Sequence, residues 1–279
     1  MYVRFFGIAV FSCLLCLAPA WTDVRAYAAL APFAGQVRPW RQGAALVGES
    51  GPASQIRAGI APHHGLASET IARFYDNLPS GVERVILIGP DHFRAGLRFI
   101  TLCPLPWRTG NGVIGTDARA VDALSQIESV GVESLPFRLE HSIGLHIVFI
   151  GRYFPNARVV ALMVNNAALP RELSRLVPVL SELLAEKGTL LILSMDFSHD
   201  KMPEEAKRED DRSIENILSF KTEALQGLDI DAPSAARLFL EVLESLGIKD
   251  GLVLERTNSS EIIGRPDLLC TSYATMLFR

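Results

Sequence analysis

Six histidines are the residues of this 279-residue chain best suited to chemistry: His63, His64, His92, His141, His146 and His199. Three groups of them follow apolar runs directly. Residues 57–61 (RAGIA) lead into Pro62-His63-His64-Gly65, and residues 85–88 (VILI) lead into Gly89-Pro90-Asp91-His92. Residues 190–194 (LLILS) lead into Met195-Asp196-Phe197-Ser198-His199. Short apolar runs of this kind read as buried strands. The histidines therefore fall just past the carboxyl ends of strands, the edge at which open α/β sheets bind ligands. Imidazole is the commonest metal ligand among side chains. Acids lie beside three of the histidines: Asp91 precedes His92, Glu140 precedes His141, and Asp196 lies three before His199. A carboxylate behind an imidazole fixes its tautomer and raises its basicity. Two histidines and one carboxylate with open positions suit non-haem Fe(II), and zinc with a bound water is the other choice. A lone histidine is more often a hydrogen-bonded structural residue, so the argument rests on the grouping. His146, five residues from His141 on one expected helix, does not share its face and reads as packing.

The elements that must position these groups alternate along the chain. Strands are expected at Arg57–Ala61, Arg84–Gly89, Arg158–Val164, Thr189–Ser194, Gly251–Arg256 and Thr271–Phe278. Helices are expected at Leu66–Asn77, Asp117–Ser129, His141–Tyr153, Arg171–Glu186, Glu204–Phe220 and Ser234–Leu246. Continuous Val/Ile/Leu runs are what a sheet buried on both faces requires. Strand–helix alternation predicts an α/β, single-domain sandwich with a mostly parallel central sheet flanked by helices over residues 57–279. Residues 29–56, rich in Ala, Gly and Pro, read as an extended lead-in.

Composition narrows the function class. The net charge is −4 and no Lys/Arg block occurs, which argues against a nucleic-acid partner and for a small-molecule or peptide ligand. The N-terminus has one positive charge (Arg4), an uncharged stretch from Phe5 to Leu17, and then Ala18-Pro19-Ala20. That is the layout of a secretory signal peptide over residues 1–20, with cleavage as late as 28 as the alternative. It predicts export to the periplasm or exterior, with membrane contact only through the leader. The uncharged stretch is shorter than the roughly 20 residues a membrane span needs. Cys103 and Cys270 would remain after cleavage, either as one disulfide or, the reading we favour, as two buried thiols.

The ordered motifs resemble those of the MEMO family, also called AmmeMemoRadiSam system protein B. They are Ala61-Pro62-His63-His64-Gly65, Ile88-Gly89-Pro90-Asp91-His92, Glu140-His141-Ser142-Ile143, Ser194-Met195-Asp196-Phe197-Ser198-His199, Asn258-Ser259-Ser260 and Ser272-Tyr273-Ala274. The resemblance implies a fold similar to that of class III extradiol dioxygenases, which use non-haem iron. It implies His63, His92 and His199 as pocket histidines, Asp196 as pocket aspartate, and Glu140 and His141 as the family's acid–histidine pair. The family's Cys-Gly pair is missing, and Asp231-Ala232 takes its place, so Asp231 is the implied oxygen ligand. His64 stands where the family has Ala, and Asp91 where it has Ser. The expected ligands of a divalent metal, iron before zinc, are thus His63, His92, Asp196 and Asp231. His199, His141 and Glu140 are the expected proton-transfer residues. A non-catalytic protein holding a metal or a peptide, or no metal, in the same pocket is the alternative.

Overall fold

The computed structural model describes residues 55–279; the expected signal peptide (residues 1–20) and all but the last residues of the expected lead-in lie outside the described residues. In chain order the elements are β1 (Ala58–Ala61), α1 (Ser68–Asp76), β2 (Arg84–Pro90), β3 (Ile100–Leu102), β4 (Trp107–Thr109) and β5 (Gly112–Thr116). There follow α2 (Ala118–Ser125), β6 (Val130–Val132), α3 (His141–Tyr153), β7 (Arg158–Val164), α4 (Pro170–Leu173) and α5 (Val177–Ala185). The chain finishes with β8 (Thr189–Ser194), α6 (Pro203–Leu218), α7 (Pro233–Ser245), β9 (Gly251–Asn258), α8 (Ser259–Ile262) and β10 (Ser272–Phe278).

All ten strands join one sheet, whose main path runs β4-β5-β7-β2-β8-β1-β10-β9. From β5 to β1 every neighbour is parallel. The β1–β10 and β10–β9 ladders are antiparallel, as are β3–β7 and β4–β5. The expected mostly parallel α/β sandwich is the observed fold. Successive strand residues point to opposite faces, and in β2 this sends Ile86 and Ile88 to one apolar cluster and Val85 and Leu87 to the other. One face is covered by α7 with α2, α5 and part of α6, the other by α1 and α3. Gly59 lets the α1 side close down on β1. A Cβ there would lie 2.5 Å from the Phe74 ring and 2.9 Å from the Met276 carbonyl, closer than packed atoms tolerate.

The expected helix Arg171–Glu186 is two helices, α4 and α5. Pro178 sits in the first turn of α5, where its missing N–H costs nothing and where it cannot continue a helix from upstream. Strands β3, β4, β5 and β6 were not expected. They have three to five residues each and lie at the sheet's margin, too short to show a period. Cys103 and Cys270 are both buried free thiols.

His146 is packing, as its position suggested. It is fully buried, and its Nδ1 lies 3.0 Å from the Tyr75 hydroxyl. Its Nε2 side faces the backbone of Ala61 and Pro62 without good hydrogen-bond alignment. Burial, helped by the nearby His63, pushes its pKa down to about 3. The unfolded chain therefore takes up a proton near pH 6.5 while the folded one resists until about 3, so stability falls as pH drops through that window. The slope from one such proton reaches about 1.4 kcal/mol per pH unit. His146→Leu should lose baseline stability by leaving the Tyr75 hydroxyl without its partner, yet show a shallower decline between pH 6 and 4. Urea midpoints at several pH values measure this, and parallel profiles for the two proteins would contradict it.

Candidate metal centre

Strands β2, β8 and β1 are adjacent and parallel, so their carboxyl ends form one edge. His92 follows β2 after Asp91, Asp196 follows β8 after Met195, and His63 follows β1 after Pro62. Two helix starts close the ring. Glu140 is the N-cap of α3 and His141 its first residue, while Asp231 stands just before the Ala232 N-cap of α7.

The rings converge on a common space. His63 and His92 meet edge to face with centroids 5.0 Å apart, and His63 and His141 do so at 5.2 Å. His92 and His141 stack at 4.5 Å. Asp231 Oδ2 reaches between them, 2.9 Å from His63 Nε2 and 3.4 Å from His92 Nε2. One ligand atom from each of His63, His92 and His141 lies within 4.8 Å of the others, and the same holds for His63, Asp196 and Asp231.

Two of these imidazoles, His63 and His92, are oriented by a group behind the ring. Ser194 Oγ donates to the Ser142 carbonyl at 2.6 Å, so toward His63 Nδ1, 2.9 Å away, it accepts. That fixes the Nδ1–H tautomer and leaves Nε2 facing Asp231. His92 is held twice by Glu140: its backbone N–H donates to Oε2 at 2.9 Å and its Nδ1–H to Oε1 at 2.8 Å. Glu140 Oε1 also accepts the Ser142 N–H at 3.0 Å as the helix cap. The Glu140 side chain is 1 % exposed, and both of its oxygens are engaged. Asp196 accepts the His63 N–H at 3.0 Å, and its own N–H donates to Asp231 Oδ1 at 3.0 Å. The Asp231 N–H returns to the Asp196 carbonyl, and its carbonyl accepts from the Asn166 amide at 2.7 Å.

The electrostatics are those of a place built for positive charge. Burial disfavours a charged His92, yet its hydrogen bonds and Coulomb attraction to Asp231 and Glu140 prevail and raise its pKa to about 10. The buried His63 is raised in the same way against burial, by Asp196 and Asp231. Burial also opposes an ionised Asp231, but His63 and His92 hold it well below the usual carboxylate range. Asp196 is raised, by burial first and by Asp231 as a like charge. Burial and the neighbouring His63 and His92 push His141 down to about 4, so it is neutral near pH 7.

The structure thus brings together His63, His92, His141, Glu140, Asp196 and Asp231. His199 is not among the convergent groups. Ser198 before it is buried and donates to Asp210 at 2.7 Å, and the chain then turns through a left-handed Asp200 (φ 54°). His199 emerges exposed, near enough to bear electrostatically on Asp196 and His64. His64 instead receives the Tyr273 hydroxyl at 2.7 Å. The orienting roles of Ser194 and Asn166 were not foreseen; a serine or an asparagine at a strand end has no pattern of its own.

Two imidazole nitrogens with their far sides fixed, and a carboxylate between them, form a donor set that suits a divalent ion. In the ion-free chain the same places carry protons.

The chain matches the family described as Memo-like protein over residues 41–277, a stretch that begins upstream of the motifs. A MEMO1 family protein of Thermococcus onnurineus (strain NA1) is 24% identical over 267 residues, covering 84% of this chain and 90% of that one. A MEMO1 family protein of Aquifex aeolicus (strain VF5) is 24% identical over 220 residues, covering 75% and 80%. Among solved structures, the uncharacterized protein JW3007 from Escherichia coli K12 superposes with a TM-score of 0.50 at 14% identity, over 78% of this chain and 98% of that one. That last likeness concerns the fold alone. With a family match spanning most of its length and the expected motifs gathered at one sheet edge, the chain belongs to the Memo family.

Proposed function

We propose that the protein is a metal-dependent enzyme acting on a small molecule, with iron as the preferred ion and His63, His92 and Asp231 as the residues that hold it. The observation that carries this is Asp231 Oδ2, within 2.9 Å and 3.4 Å of two Nε2 atoms whose rings are tied behind by Ser194 and Glu140. A carboxylate where the resembled family has a cysteine makes the donor set harder, which suits two-histidine, one-carboxylate iron better than a thiolate-loving ion. A bound divalent ion would supply Lewis acidity, and iron would add redox chemistry. Glu140 keeps His92 turned toward the pocket and has no free oxygen for proton transfer. His141, neutral near pH 7 and partly exposed, is the group able to take a proton from a substrate hydroxyl or water.

The test is elemental analysis of purified protein beside a His63→Ala, His92→Ala double variant. Near-stoichiometric ion in the first and its loss in the second support the reading; equal content in both removes it. Turnover of catechols would then support an oxidoreductase, and turnover of esters by the zinc form a hydrolase. Ion without any turnover would favour a binding protein.

A further inference from the structure

A second cavity opens beside the metal pocket, on the same sheet edge, with a volume of about 410 Å³. That is within the range of small-molecule sites. Its lining is joined to the metal centre through the chain. Arg94 lies two residues past His92, and Asn165 precedes Asn166, whose amide holds the Asp231 carbonyl.

Arg94 and Arg98 both line this cavity, and among the described residues neither guanidinium has a carboxylate within ion-pair distance, 4.0 Å. Asn165 lines it too, and is 7 % exposed. Its Oδ1 accepts the Ala167 N–H at 2.9 Å, which identifies the other end as the amide NH₂; that end has no partner among the described residues. Glu172 is the one acid in the lining, and its carboxylate is engaged with the Leu169 N–H at 2.8 Å. Leu97 and Phe99 give the cavity an apolar wall, and both are exposed at 87 % and 47 %.

The loop bearing the arginines is built rather than loose. The buried Asp91 carboxylate accepts the N–H groups of Ala95 at 3.1 Å and Gly96 at 3.3 Å. Arg94 is held in the left-handed region at φ 50°, a conformation that a residue with a Cβ adopts at some cost. A Cβ on Gly96 would collide with Thr101 Oγ1, so the loop lies directly against β3. Asp91 itself stands where the resembled family has Ser.

We propose that this cavity binds the distal end of the substrate, and that this end is an organic anion: a carboxylate or phosphate group carried on an apolar body. Two guanidiniums and an amide NH₂ supply directed donors for such a group. The apolar wall covers its carbon skeleton, while the reacting end extends toward His63, His92 and His141. The word substrate rests on the metal-centre reading; the binding of the anion does not.

Benzoate, phenyl phosphate and neutral benzyl alcohol are the probes, titrated into the full-length protein by calorimetry and by ligand-observed NMR. The expected result is that at least one anion binds and the alcohol does not, and which anion binds identifies the head group. Arg94→Gln and Arg98→Gln should each weaken binding by about tenfold or more, the worth of a charge-assisted hydrogen bond. Arg94→Lys should retain part of it, and unchanged thermal melts show that the variants fold. The same titrations on the His63→Ala, His92→Ala variant separate the two readings. Anion binding that survives there supports the cavity even if no ion is ever found. Binding that needs the histidines and ignores both arginines places the anion at the metal centre and overturns the proposal, as does equal affinity for the alcohol.

Discussion

Asp231→Asn should strip the ion from the protein, weakening its affinity by more than about 100-fold, beyond what loss of an outer-shell partner costs. The side chain keeps its size, and its oxygen can still accept the Asp196 N–H that the carboxylate now receives at 3.0 Å. What disappears is the negative charge facing His63 and His92. The sign of the pH effect follows from the ion-free state. His92 there titrates at about 10, so near neutrality an incoming ion must displace its proton, and loading improves as pH rises. In the Asn variant the proton is held less firmly, so whatever affinity remains depends less on pH. Competition against a chelator at pH 6, 7 and 8 reads both effects. A variant that keeps its ion would move the ligand role to Asp196, the other carboxylate beside His63.

Glu140→Gln should weaken ion binding by about 10- to 100-fold while leaving the sheet intact. With its oxygen in the Oε1 place the amide still accepts the His92 Nδ1–H and the Ser142 N–H, but its NH₂ then faces the His92 backbone N–H that Oε2 now accepts. His92 would keep a weaker, uncharged tether at Nδ1 and lose its backbone bond, so its Nε2 is held inward less firmly. This separates two roles. As a proton-transfer residue, Glu140 would affect turnover and leave ion affinity alone. As the group that positions His92, it must change affinity, and an amide that still caps α3 keeps the stability loss to about 1 kcal/mol. Unaltered affinity with lost turnover would restore Glu140 to the reaction itself.

The sequence was readable where burial is complete. Strands β7 and β8 match the expected bounds at both ends, because six of the seven residues of β7 and all six of β8 are buried, leaving uninterrupted apolar runs. It was silent at the margin, where β6 offers only Val-Gly-Val. For the site, chain order named His63, His92 and Asp196, since each follows a strand at the ligand edge, and the family resemblance alone named Asp231, which stands where the Cys-Gly pair is missing. His199, grouped with them by its spacing from Asp196, is exposed yet near enough to bear electrostatically on Asp196 and His64. Phe197 and Ser198 are buried and Asp200 is left-handed at φ 54°, a turn that spacing from an acid does not reveal. Chain order also paired Glu140 with His141, since two covalently adjacent residues do not reveal that the acid hydrogen-bonds a different histidine, His92.

The two aspartates are stitched to one another across 35 residues, each main chain bonded to the other residue. Between them in sequence lies the whole of α6, so this seam closes only once β8 is seated in the sheet and α7 has docked. The site between them is therefore made by tertiary pairing of distant segments rather than by one local loop. A zinc finger gathers around its metal; here the two aspartates are already tied to each other by main-chain bonds, and a cation that bound only the native chain would add its binding free energy to a topology held by the sheet.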